Sequence, residues 1–244
     1  MGKHDFTKRA VCPELMDLAD VDEQKLLRTV WQFALLNRLF SSSRRLICSY
    51  FLDPLIREGK QSFSLLDIGA GGCDIPIWIV QYCRKHGISP NITCIDYDAR
   101  ILAYARRQCD DYPEIRILHH DALQMQDLGK FDYIYANNFL HHLDDVSVSR
   151  VLQQTADMAQ RGYMLNDIYR SRMAYWLYTL FAGLFLHRSF AFYDGRLSIR
   201  KGFTASDLRL CIRNACLDEE PRVLRTRFFR IVVVHMKRAQ AASA

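Results

Sequence analysis

Between residues 63 and 167, short apolar strand-like runs alternate with helix-like stretches, and this alternation constrains the fold more than anything else in the chain. Strands separated by helices pair in parallel, with helices covering both faces of the sheet. The runs predict strands over 63–68, 91–96, 115–120, 131–137 and 163–166. Asp74 is expected to cap the helix after the first strand, with Pro76 in its first turn and Gly87 ending it. Asp98 is expected to cap the next helix, whose Ile101, Leu102, Ala105 and Cys109 keep a helical period. A further helix is expected over 146–159.

The connections carry the chemistry. Residues 64–74 read Ser-Leu-Leu-Asp-Ile-Gly-Ala-Gly-Gly-Cys-Asp, a strand that ends in an acid and opens into a glycine-rich turn. Glycine lets the main chain approach a ligand closely and take left-handed angles. Such a turn between strand and helix lines nucleotide pockets. Asp96 closes the second strand in Cys-Ile-Asp-Tyr-Asp, where a carboxylate can accept hydrogen bonds from both hydroxyls of a ribose. Asp121 follows the third strand in His-His-Asp-Ala, and Asn137 ends the fourth in Tyr-Ala-Asn-Asn-Phe-Leu-His-His-Leu.

These four segments, in this order, resemble the motifs of the class I S-adenosylmethionine (SAM)-dependent methyltransferases. The resemblance spans residues 63–237. It implies an α/β, Rossmann-like fold with a seven-stranded, mostly parallel sheet whose last strand is antiparallel, so 222–237 is expected to form the two closing strands. It also implies SAM as cofactor and S-adenosylhomocysteine (SAH) as product. On this chain, Asp67, Gly69, Ala70 and Gly71 match the glycine motif. Asp96 with Tyr97 matches the ribose position, Asp121 with Ala122 the adenine position, and Asn137 the position along the methionine part. Cys73 stands where the family usually has a third glycine, so a slightly looser helix–strand contact is expected there.

Two regions depart from the alternation. Residues 1–60 form an expected N-terminal helical segment over the site, with 14–56 helical in pattern and Leu27, Val30, Trp31, Ala34 and Leu35 on one face. Residues 61–244 form the expected methyltransferase domain, with a helical cap insertion over 169–201. Some class I members lay a helix from in front of the sheet across the cofactor. Residues 35–40 would do this here, with Asn37 and Arg38 facing the ligand. Thr204-Ala-Ser-Asp207 reads as a capping-box start to a later helix.

Methyl transfer is an in-line displacement, and a phenolic acceptor must also lose a proton. His141 and His142, just past the fourth strand, are the candidate general bases; His119 and His120 read as strand and packing residues. Magnesium prefers clustered carboxylates. Asn137 and Asn138 stand where an acid pair would be needed, so no metal is expected. Asp167 and Arg170 open the insertion at the pocket edge. Residues 173–186 are too apolar to be left in water. They form either a cap that buries itself or the wall of an acceptor pocket, with Trp176, Tyr178 and Phe181 placed to stack on an aromatic ring. Contact of this stretch with a membrane surface stays open. Tyr193 begins Tyr-Asp-Gly-Arg-Leu-Ser-Ile-Arg, which resembles a segment of bacterial methyltransferases acting on polyketide- or quinone-like aromatics.

The expected function is therefore methylation of a hydrophobic small molecule, as O-methylation of a phenolic, polyketide- or quinone-like acceptor. A protein or RNA acceptor is the second reading, prompted by Arg222, Arg225, Arg227 and Arg230; a non-catalytic cofactor-binding regulator is the third. The net charge of +6 is spread along the chain rather than gathered in a tract, so no nucleic acid is expected. Eight cysteines without a Cys-x-x-Cys pair read as core residues of a reducing compartment. The first residues lack the apolar run of a secretion signal, and Phe6 stands where myristoylation needs Ser or Thr. The cytoplasm is the expected location. Acceptor identity, attacking atom and oligomeric state are not fixed by the sequence.

Overall fold

The computed structural model describes residues 5–237. Residues 1–4 and 238–244 lie outside the described residues, and with them the start of the leader and lipidation reading and the outer ends of the two expected segments. Strands β1 (Ser62–Ile68), β2 (Ser89–Asp96), β3 (Ile115–His119), β4 (Phe131–Asn137), β5 (Ala159–Ile168), β6 (Arg222–Thr226) and β7 (Arg230–Met236) form one sheet in the order β3-β2-β1-β4-β5-β7-β6. Strand β7 runs antiparallel to β5 and β6, and the remaining pairs are parallel. This is the expected Rossmann-like class I methyltransferase sheet.

Pleating sends alternate residues of each strand to opposite faces, so two cores form. On one face Leu66, Ile68, Ile134, Tyr163 and Ile231 pack against α6 (Asp145–Met158) and α9 (Ala205–Asn214). On the other, Leu65, Ile92, Tyr133, Tyr135 and Val232 meet Phe51, Leu52, Ile79 and Cys83. These last come from a helical stretch, Cys48–Leu52, and from α4 (Asp74–Lys85). Removing one fully buried leucine from either core, such as Leu66, costs about 2–5 kcal/mol.

The N-terminal segment is not one helix. Before the π turn at Cys48–Leu52 stand α1 (Glu23–Phe40) and α2 (Ser43–Ile47), and after it α3 (Asp53–Arg57). The break after α1 falls at Ser42, whose left-handed φ of 59° ends the helical path. The buried stripe of α1 also differs from the one expected. Leu26 and Val30 are buried and Phe33 and Leu36 half-buried, while Trp31 and Leu35 face solvent. The reason is that α1 packs sideways, on α5 (Ala99–Gln108) and on the cap, instead of on the sheet.

Local capping follows the sequence where donor and acceptor are close neighbours. Asp98 accepts from Arg100 N at 2.8 Å, and Thr204 with Asp207 completes the capping box. Asp74 does not cap α4. Cys73 takes the cap position with φ 60°, and Asp74 is the first helical residue. The Cys73 side chain is fully buried against Cys94 and Cys109, which takes up the space left by the missing third glycine.

The insertion forms α7 (Arg172–Phe185) and α8 (Ala191–Lys201), which pack on each other. Tyr178 Oη donates to Ala191 O at 2.6 Å. Helix α1 laces onto the connection between them. Phe190 N donates to Thr29 Oγ1 at 2.9 Å, and Ser189 Oγ to Gln32 Oε1 at 2.6 Å. Among the described residues no helix is long and apolar enough to cross a membrane.

Candidate functional site

The C-terminal ends of β1, β2 and β4 open into a cavity of about 1260 Å³, with α1, the cap and residues 14–19 closing it from the other side. The glycine turn forms its floor. Gly69 has φ 66° and passes so close to Phe139 that a Cβ there would sit 2.6 Å from the ring. Gly71, also left-handed at φ 53°, donates its N–H to Asp96 Oδ2 at 3.0 Å. Asp98 N donates to Asp96 Oδ1 at 3.1 Å. Each carboxylate oxygen therefore spends one lone pair on the backbone and keeps another for the cavity. Asp121 is fixed in the same way by Leu123 N at 2.8 Å.

Three acids share this floor, and only Asp74 has a cationic side chain, Arg44, acting on it. Burial raises the pKa of Asp67 well above the usual carboxylate range, helped by the charges of Asp74 and Asp96. Burial likewise lifts Asp96, and it lifts Asp74 to about 6 against the opposing hydrogen bond from Asn37. The Oδ2 atom of Asp74 is buried with no hydrogen-bond partner. A buried acceptor left unsatisfied costs about 1–3 kcal/mol, and it marks the place where a cationic donor from a ligand fits.

Beside the floor lies an amide layer. Asn137 and Asn138 donate their Nδ2 to Asn37 Oδ1 on α1 at 3.1 and 2.8 Å. The buried Arg230 guanidinium donates to the side-chain oxygens of Asn137, Asn138 and Asn166 at 3.0, 2.6 and 3.2 Å. Asn37 Oδ1 and Asn137 Oδ1 each accept more than one donor, and Arg230 joins three amides, so the layer holds α1, β4, β5 and β7 in one arrangement.

At the far wall, the turn Leu140–His142 presents both histidines. His141 is buried. Its Nδ1 lies 2.8 Å from Asp167 Oδ1, and its Nε2 lies 3.6 Å from Glu14 Oε1. Burial alone would lower its pKa, but the Asp167 and Glu14 carboxylates outweigh this and lift it to about 9. Glu14 in turn accepts from Ser198 Oγ at 2.9 Å and pairs with Lys201 Nζ at 3.2 Å. Burial opposes its ionised form, yet His141, His142 and Lys201 hold it far below the usual carboxylate range. His142 is exposed and pairs with Asp17 at 3.2 Å. Donor atoms of Glu14, His141 and His142 all lie within 4.8 Å of one another, but the Lys201 ammonium already supplies a cation to Glu14.

The cavity brings together Asp67, Gly69, Ala70, Gly71, Asp96 and Tyr97 on the floor, with Asp121, Ala122 and Asn137 beside them. His141, His142, Tyr178 and Phe181 line it as well, and Asp167 stands directly behind His141. Asp167 and four other expected site residues do not line it. Arg38 lines a small groove beside the cavity instead, which shares Asn37 with it. Arg170 is buried and structural, bonded to Gly202 O at 2.6 Å and paired with Asp207. Trp176 and Tyr193 are half-exposed on the outer surface of the cap. Contrary to expectation, His120 does line the cavity.

Sequence reasoning missed the residues that close the site. Asp194 accepts from Leu15 N at 2.7 Å and Met16 N at 3.0 Å, which places Glu14 over His141. Asp194, Ser198 and Lys201 all belong to α8, so the Tyr193–Arg200 segment singled out in the sequence acts largely by anchoring residues 14–16. Gly195 is required there because a Cβ would collide with the Tyr178 hydroxyl.

Residues 65–162 match a family model described as a methyltransferase domain. Over 148 residues, 59% of its length, the chain is 30% identical to a non-reducing polyketide synthase of Emericella nidulans, and it spans 6% of that protein. In structure it is similar to the magnesium protoporphyrin IX methyltransferase of Synechocystis with bound SAH, at 14% identity, TM-score 0.55, and coverage of 86% of this chain and 93% of that one. It is also similar to human N-acetylserotonin methyltransferase in complex with SAM, at 17% identity, TM-score 0.59, and coverage of 88% and 56%. The CMeT domain of the citrinin polyketide synthase matches with TM-score 0.54 at 17% identity, over 75% of this chain and 49% of that one.

Proposed function

We infer that this chain, which has the class I methyltransferase fold and a methyltransferase domain over residues 65–162, is a SAM-dependent methyltransferase of a hydrophobic small molecule. O-methylation of a phenolic, polyketide- or quinone-like acceptor is the reading we favour. One observation carries it. A single cavity joins an acidic, glycine-walled floor to an apolar chamber that ends on a buried histidine held between two carboxylates.

The floor fits SAM. Asp96 keeps a free lone pair on each oxygen for the ribose hydroxyls, and the glycine turn leaves room for a ligand against the backbone. The unsatisfied Asp74 Oδ2 meets the need of a ligand ammonium, and the three acids compensate a sulfonium charge. When bound, SAM supplies the electrophilic methyl group. Leu177 and Phe181 wall the acceptor chamber and exclude water, which strengthens every charge interaction inside it.

His141 serves as the general base. Asp167 fixes its Nδ1–H, so that Nε2, which lies 3.6 Å from Glu14 Oε1, is the atom that receives a proton. Its pKa of about 9 lies close to the value of about 10 for a phenol, which makes the transfer nearly balanced. The arginines of 222–230 do not gather into one nucleic-acid surface. Arg230 is buried in the amide layer, and Arg225 stacks 4.0 Å from the Tyr169 ring. Calorimetric titration with SAM, followed by a screen of hydrophobic phenols for SAH release, tests the reading. Absence of binding at millimolar SAM would end it, and turnover of protein or RNA alone would replace the acceptor.

A further inference from the structure

The outer face of the cap is strongly apolar. Helix α7 exposes Met173, Trp176, Leu177, Leu180, Leu184 and Phe185, each more than half open to solvent. Helix α1, adjoining it through Phe33 and Leu36 against Ala182 and Leu186, exposes Trp31, Leu35 and Leu39 at a spacing of one face. An apolar surface of this extent on α7, with a second apolar stripe on α1, marks an interaction site.

Charge decides what covers it. Residues 24–52 carry Lys25, Arg28, Arg38, Arg44 and Arg45 and no acid, and residues 171–193 carry Arg172 and Arg188 and no acid. Next to Phe228 and Leu39 lies a groove of about 250 Å³ lined by Arg38, Arg44, Arg45 and Arg227. Among the described residues none of these four arginines forms a salt bridge; Arg44 lies 5.3 Å from the Trp78 ring and acts on Asp74, with its Nε buried without a hydrogen-bond partner, while Arg38, Arg45 and Arg227 have no such partner. Unpaired guanidinium groups converging on one groove suit phosphate oxygens. An apolar helix face bordered by such a groove suits the boundary between lipid headgroups and acyl chains.

The cavity opens on the same side. Phe40, Leu177 and Phe228 are exposed and also line the cavity, and Phe40 meets Phe181 and Phe228 edge-on at 5.9 and 5.4 Å. We propose that the outer faces of α1 and α7, with the arginine groove beside them, dock the protein on an anionic phospholipid surface. A hydrophobic acceptor then passes from the bilayer into the cavity without crossing water. The delivery step rests on the acceptor reading above; the docking does not.

Flotation of the full chain with phosphatidylcholine vesicles, alone and mixed with phosphatidylglycerol, tests this. Binding to the anionic vesicles is expected to exceed that to neutral ones by about tenfold or more. Leu180→Asp with Leu184→Asp, and separately Arg45→Glu with Arg227→Glu, should each remove most of the binding. SAM affinity measured by calorimetry should be unchanged in both, so a failed docking and a failed cofactor site give different results. The proposal falls if the wild type does not float, or if the charge-reversed variant floats equally well. It falls also if the chain sediments as a dimer that the leucine pair splits, because a second copy then covers the face. Retention by an acidic carrier protein in place of vesicles would overturn it too.

Discussion

Asp167 and Glu14 approach the two ring nitrogens of His141 from opposite sides, and both favour its protonated form. The base is therefore mostly charged at neutral pH, and the fraction able to take a proton grows as pH rises toward about 9. Removing one negative neighbour lowers that pKa. Glu14→Gln should move the rising limb of the pH profile of kcat/KM down by about one unit, since one unit corresponds to about 1.4 kcal/mol of charge interaction. A limb that stays in place would mean that His141 is not the titrating base. His141→Ala should lower kcat by about 10²–10⁴-fold with little change in SAM affinity. At the floor, Asp96→Ala removes a carboxylate that both anchors the glycine turn and faces the cavity. Calorimetry should show SAM binding weakened by about tenfold or more, the scale of one lost charge-assisted hydrogen bond.

Residues 9–19 contain only one turn of helix, Leu15–Asp17, yet they roof the site because three separate groups hold them. Arg9 bonds Leu143 O at 2.7 Å, Arg100 bonds Leu18 O and Ala19 O at 3.0 Å each, and Asp194 bonds the amides of Leu15 and Met16. Asp194→Asn keeps the volume but replaces one acceptor oxygen by a donor facing an N–H. Hydrogen exchange at the Leu15 and Met16 amides should speed up by about tenfold or more, at the cost of a charged hydrogen bond, while the core strands keep their protection. Equal exchange in the two proteins would place the anchor elsewhere. This strap shows where the sequence stops being readable. The strand ends, the glycine turn and the Asp98 and Thr204 caps were legible because each signal lies within a few neighbouring residues. Asp194 bonds an amide 179 residues away, and no local pattern announces that. Helical geometry explains two further differences. Asn37 and Arg38 are about 100° apart around α1, and only Asn37 reaches the cavity, while Arg38 turns into the small groove beside it. On α7, Tyr178 and Phe181 are three residues apart and share a face, while Trp176 projects away from both.

Across the whole molecule the two halves of the site pull stability in opposite directions with pH. The pKa of His141 is raised, so its contribution is complete below about 6.5 and is lost as pH climbs through about 9. Glu14 and Asp167 are lowered, so theirs is present at neutral pH and lost on acidification. The floor acids are raised instead, and their contribution shrinks as pH rises from about 4 to the folded value, about 6 for Asp74. At neutral pH Asp74, with a folded value of about 6, is mostly ionised with only Arg44 acting on it, and a ligand cation would relieve that charge further. SAM at about 100 times its Kd should stabilise the fold by about 2.7 kcal/mol, which for a chain of this size raises Tm by roughly 5–10 °C. Near pH 5 Asp74 is protonated and the compensation is lost, so the same SAM concentration should give a smaller shift. SAH lacks the sulfonium charge, so the gap between SAM and SAH in thermal-shift measurements should narrow over the same interval. If the SAM shift were as large near pH 5 as at neutral pH, the cation would not sit against these acids, and the floor would have to be held apart by something other than its missing counter-charge.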